Sequence, residues 1–118
     1  MHEERRQQVR FRTYRPVRVR ALTSSHFIET LTKNLSMGGL RCVSSQIFPV
    51  ASELNIELLC FPGEEPLTFR GRTTWFQMLS NSEGIDLGVS FVNTTEFNKR
   101  RLSVCLERLF EQPPSAHR

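Results

Sequence analysis

At 118 residues, 38% of them hydrophobic and nine of them Phe, the chain has enough apolar material for one domain with a buried core and too little for two. No apolar run approaches the roughly 20 residues of a membrane-spanning helix, and the charged N-terminus lacks the apolar block of a signal peptide, so the expected address is the cytoplasm. The net charge of +4 and the pI near 9.5 favour an anionic partner.

The excess charge is concentrated at the front. Arg5, Arg6, Arg10, Arg12, Arg15, Arg18 and Arg20 all precede residue 21, and the stretch EERRQQVRFR has almost no apolar residue to bury. Residues 1–12 are therefore expected to form a flexible arm, followed by a folded domain over 13–111 and a loose tail over 112–118. Arginine suits such an arm because its planar fork pairs bidentately with phosphate or with guanine O6 and N7.

Period-two alternation begins after the arm. Val17, Val19 and Ala21 alternate with Arg18, Arg20 and Leu22, and a turn follows at Thr23-Ser24-Ser25. A second β-rich run over residues 27–32 leads into Asn34-Leu35-Ser36-Met37-Gly38-Gly39, and Leu40 and Cys42 open a third strand. Leu54, Ile56, Leu58 and Cys60 mark a fourth, ended by the turn signal Phe61-Pro62-Gly63. Leu67, Phe69, Gly71, Thr73 and Trp75 form one face of a long fifth strand, and Ile85, Leu87, Val89 and Phe91 one face of a sixth. Six antiparallel strands of this length close best as a small barrel. The period then changes: Asn93 reads as the N-cap of a helix with Glu96 three residues on, Leu102, Cys105, Leu106 and Leu109 make its apolar stripe, and Gln112-Pro113-Pro114 ends it. The expected fold is a mainly β, six-stranded antiparallel barrel with a C-terminal helix.

Three widely spaced cysteines at apolar positions read as buried, reduced thiols, and with His2, His26 and His117 scattered they offer no metal site. No nucleophile, acid pair or metal cluster argues for catalysis, so no cofactor is expected and the protein reads as a non-enzyme.

Two short motifs narrow the function. Arg5-Arg6-Gln7-Gln8-Val9-Arg10 fits RxxxR with a preceding arginine, and Asn34-Leu35-Ser36-Met37-Gly38-Gly39 fits Asp-or-Asn-x-Ser-x-x-Gly about two dozen residues later. Each is weak alone, and the pair in this order is specific. With Pro16-Val17-Arg18-Val19, Gly71-Arg72 before Trp75, and Leu87-Gly88-Val89-Ser90-Phe91 before the closing helix, the chain resembles the PilZ domain family, bacterial receptors for cyclic dimeric GMP (c-di-GMP), over nearly its whole length. The resemblance implies that Arg6 and Arg10, with Arg5 as a further contact, grip the ligand, and that Asn34 and Ser36 meet a guanine edge beside Gly38 and Gly39, where a missing Cβ admits close approach. Arg41 can face ligand or solvent. Trp75 reads first as a core residue, although an aromatic near this position can lie beside the nucleotide in similar proteins. Arg70 and Arg72 read as a solvated rim.

The resulting expectation is a receptor whose arm orders on c-di-GMP and which signals to a separate protein partner, with Arg5 favouring a stacked pair of nucleotides over one. Two other readings remain: an adaptor of the same fold that binds no nucleotide, and a basic barrel that binds single-stranded nucleic acid. The second is disfavoured because the aromatics sit mostly at inward-alternating positions rather than as exposed platforms.

Overall fold

The computed structural model describes residues 14–80 and 83–111. The expected arm, with Arg5, Arg6 and Arg10, and the expected tail lie outside the described residues. Six strands follow in order: β1 (Pro16–Ala21), β2 (Ile28–Ser36), β3 (Gly39–Ser44), β4 (Glu53–Leu58), β5 (Leu67–Met78) and β6 (Ile85–Val92), then the helix α1 (Glu96–Glu111). Every pairing is antiparallel, and the order β1-β2-β3-β6-β5-β4 closes because β1 also pairs with β4, Val17 opposite Leu58. The barrel and helix expected from the alternation are both present.

Alternation builds the interior. Val17 and Val19, Leu54, Ile56 and Leu58, Leu67 and Phe69, and Leu87 and Val89 all point inward and are buried. Phe48, from the loop before β4, joins the same core. Phe69 and Phe91 stack with ring centroids 4.3 Å apart. The helix adds Leu102, Cys105 and Leu106, with Leu109 packed against the cluster. Its start differs from the sequence expectation. Asn93 adopts a left-handed φ of 51°, which Asn tolerates, and Thr95 is the cap. The Thr95 hydroxyl accepts the Asn98 N–H at 3.1 Å, and its carbonyl accepts the Lys99 N–H at 2.9 Å.

The cysteines correct the reading of three free thiols. Cys60, just past β4, and Cys105, on the inner face of α1, form a disulfide with their Cα atoms 6.1 Å apart, and only Cys42 is free. The bond ties the helix to the barrel. Burial, then the charge of Asp86, pushes the Cys42 thiol up to about 12, so it stays protonated at neutral pH. Disulfides persist in oxidising compartments and are rare in the cytoplasm, so this bond pulls against the cytoplasmic address expected from the sequence.

The disulfide should be worth about 3 kcal/mol, because it closes a long loop in the unfolded chain. For a domain of this size that corresponds to a fall of roughly 10 °C in melting temperature on reduction or in the Cys60→Ser/Cys105→Ser variant. Scanning calorimetry with and without reductant measures it, and coincident transitions would show that the bond is absent in solution or contributes nothing.

Candidate functional site

Three pairings line up across four strands. Asn34 on β2 lies opposite Arg41 on β3, Arg41 opposite Gly88 on β6, and Gly88 opposite Trp75 on β5. Their chain neighbours Leu35, Leu40 and Leu87 are buried in the core, so this row occupies the barrel's outer face.

Two irregularities put the ends of the row there. The register shifts between Thr32 and Asn34 on β2, and between Thr73 and Trp75 on β5. Thr32 and Thr73 are both buried, and strict alternation would send Asn34 and Trp75 inward after them. A bulge inserts one residue and reverses the facing of every later side chain in the strand. Trp75 is consequently 41% exposed, which corrects its reading as a core residue, and Phe76 packs inward in its place. The indole lies over Gly88, where a Cβ would run into its Nε1 and Cε2 atoms.

At the end of β2 the chain reverses through Met37 and Gly38. Ser36 is fully buried, and its hydroxyl spans the turn: it accepts the Gly38 N–H at 3.2 Å and donates to the Gly39 carbonyl at 3.4 Å. The Gly38 carbonyl accepts the Phe91 N–H at 2.9 Å, which ties the turn to the end of β6. At Gly39 the missing Cβ has a reason internal to the fold, because a Cβ there would collide with the backbone carbonyl oxygen of Val89. The Asn-x-Ser-x-x-Gly stretch is thus a strand end and a tied turn, with Ser36 and Gly39 inside it and Asn34 on the open face.

Arg41 is held. Its Nε donates to Asp86 Oδ1 at 2.9 Å and its Nη2 to Oδ2 at 2.7 Å, a bidentate pair whose carboxylate side chain is 8% exposed and whose guanidinium side chain is 37% exposed. The hydrogen bonds from Arg41 hold the Asp86 carboxyl below the usual carboxylate range against the opposing effect of burial, with further help from the charges of Arg41 and Lys33. The same hydrogen bonds raise the pKa of Arg41. Sequence reading did not single out Asp86. The available signal was an acidic residue inside the otherwise apolar run Ile85-Asp86-Leu87-Gly88-Val89. Arg70 lies 3.5 Å from Glu53 with both side chains half exposed, and Arg72 is exposed, as expected of a rim.

The structure therefore brings Asn34, Arg41 and Trp75 onto one face beside the Ser36–Gly39 turn, while Arg5, Arg6 and Arg10 fall outside the described residues. Among the described residues no group of three or more His, Cys, Asp or Glu side chains is placed to hold a metal ion, and no helix is long and apolar enough to cross a membrane.

The PilZ domain family profile matches residues 4–108. Among solved structures, the Bacillus subtilis inhibitor of motility MotI/DgrA superposes with a TM-score of 0.73 at 19% identity, covering 92% of this chain and 53% of that one. This chain thus spans about half the length of MotI/DgrA. The PilZ domain of YcgR from Escherichia coli, solved with c-di-GMP, gives 0.72 at 15% identity over 97% of this chain and 98% of that one. The PilZ domain of CeSA from a cellulose-synthesizing bacterium gives 0.64 at 22% identity over 84% and 98%. A search of curated proteins finds no match. With the profile matched over most of its length and the same barrel and helix, this chain belongs to the PilZ domain family.

Proposed function

We propose that this protein is a non-enzymatic receptor for c-di-GMP. The observation that supports it most is the outer row Asn34–Arg41–Gly88–Trp75 beside the tied Ser36–Gly39 turn, on a fold shared with a PilZ domain solved with that ligand. A cyclic dinucleotide has two phosphates and two guanines, so it needs cationic forks, an amide for a base edge and an aromatic shelf. Arg6 and Arg10 supply the forks, with Arg5 as a further contact. Asn34 meets a guanine edge, Arg41 and Trp75 flank it, and Gly38 and Gly39 set the turn against which the ligand rests. Ser36 acts mainly by shaping that turn, since its hydroxyl is fully buried and its single proton is already given to the Gly39 carbonyl.

The output comes from the arm. Residues 1–12 have too little apolar surface to offset an ordering cost of about 1–2 kcal/mol per residue, and a dianion gripped by several arginines at once supplies the difference. The ordered arm then presents a new surface to a separate protein partner, and at the cytoplasmic address this reading proposes the Cys60–Cys105 pair is reduced and the fold stands on its packing and strand pairing without the bond.

Calorimetric titration with c-di-GMP, GMP and a short single-stranded oligonucleotide tests this reading, with the fluorescence of Trp75, the chain's single tryptophan, followed in parallel. Saturable binding is expected for c-di-GMP alone, near two per chain and with a change in Trp75 emission. Tighter binding of the oligonucleotide would replace the receptor reading with a nucleic-acid one, and no binding of any of the three would leave an adaptor. Hydrogen exchange tests the switch. Amides of residues 5–12 should exchange fast without ligand and slow with it, while those of Ile56 and Leu87 stay protected in both states. An arm already protected without nucleotide would rule out ordering as the signal.

A further inference from the structure

On the face read as a c-di-GMP site, Asp86 places a carboxylate beneath an anionic ligand. It stands two residues from Gly88 along β6, diagonal to Arg41 across the β3–β6 pair, and both its oxygens are occupied by one edge of the Arg41 guanidinium. That edge carries Nε and Nη2. The opposite edge, with Nη1, makes no hydrogen bond among the described residues. Asp86 lies on the side of the row away from the Ser36–Gly39 turn, pairing with Val43, and with Nε and Nη2 both engaged on its carboxylate Nη1 is the guanidinium nitrogen left on the far edge.

We infer that Asp86 is a positioning residue, which fixes Arg41 on the barrel face so that Nη1 meets a phosphate or guanine edge of the bound dinucleotide. The inference rests on the receptor reading. Two physical consequences distinguish it from an ordinary cross-strand ion pair. A free arginine must be ordered when it grips a ligand, whereas Arg41 is ordered beforehand by a carboxylate almost fully shielded from water, so its contact costs less side-chain entropy on binding. The pair also hides a negative charge. Removing Arg41 exposes that charge to a dianion, so the loss exceeds that of one donor.

The test is a double-mutant cycle read by calorimetry with c-di-GMP, on wild type, Arg41→Gln, Asp86→Asn and the double variant. Asp86→Asn, which keeps the shape and removes the charge, is expected to weaken binding by roughly threefold to fivefold, and Arg41→Gln by more than tenfold. The double variant should bind more tightly than Arg41→Gln alone, because the uncovered carboxylate has gone. A merely structural pair lowers the melting temperature without producing that order of affinities. If Arg41→Gln yields too little folded protein, Arg41→Lys, which keeps the charge and loses the fork, serves with Asp86→Asn. Wild-type affinity in both Asp86→Asn and an Arg41 variant overturns this inference and leaves the receptor reading standing. A wild-type protein that does not bind c-di-GMP overturns both.

Discussion

Gly39→Ala is expected to leave the chain unfolded. The added Cβ would enter the space of the Val89 carbonyl oxygen, with the Val89 carbonyl carbon and Ser90 Cα close behind, and all three are backbone atoms of the strand β3 pairs with. Neither strand can yield without opening the β3–β6 ladder, one of the seams on which barrel closure depends. The cost is on the order of 4 kcal/mol or more, comparable with the whole stability of a small domain. Gly88→Ala is the contrasting case. The three atoms nearest its Cβ would all belong to the Trp75 indole, an exposed side chain that can swing aside, so the fold should survive with altered tryptophan emission and weaker ligand binding. Far-UV circular dichroism and thermal melts of the two variants separate these outcomes. A Gly39→Ala protein that melts with wild type would falsify the account of that glycine.

The Arg6→Ala/Arg10→Ala variant should lose on the order of a thousandfold in affinity for c-di-GMP, at about 2 kcal/mol for each charge-assisted bidentate contact. Its melting temperature without ligand should match wild type, because the proposed reading has these arginines grip the ligand and not the barrel. Each single variant should lose roughly 30-fold. The wild-type affinity should also fall with added salt more steeply than that of the double variant, since part of the attraction is charge on charge. Calorimetry at two salt concentrations decides it, and an unchanged dissociation constant in the double variant would remove the arm from the site.

Much of the fold was legible because alternation is a strong local signal. Val17 and Val19, then Leu54, Ile56 and Leu58, then Ile85, Leu87 and Val89 each fall on one side of a pleat, and Leu102, Cys105, Leu106 and Leu109 on one side of a helix. The site was legible only as motif. Its place on the outer face depends on a bulge before Asn34 and another before Trp75, and one inserted residue leaves no composition signal while reversing every side chain after it. Both missed partnerships are non-local. Cys60 and Cys105 stand 45 residues apart with no spacing rule to join them, and Asp86 finds Arg41 only once β6 lies beside β3. The cap moved from Asn93 to Thr95 because both residue types cap well, and only the backbone turn at Asn93 distinguishes them.

The closure of the barrel also sets a tempo. β1 is complete only when β4 lies along it, Val17 against Leu58, and β3 only when β6 arrives, Gly39 against Ser90. Partners roughly 40 to 50 residues apart must meet before their contacts repay the entropy of closing the loop between them, which places such a chain among the slower single-domain folders, at milliseconds to seconds. On the ribosome the first strand must therefore wait with one edge open while the rest of the chain is made. Arg18 and Arg20 on β1 suit that interval, because a charged edge is a poor template for a neighbouring chain to pair with.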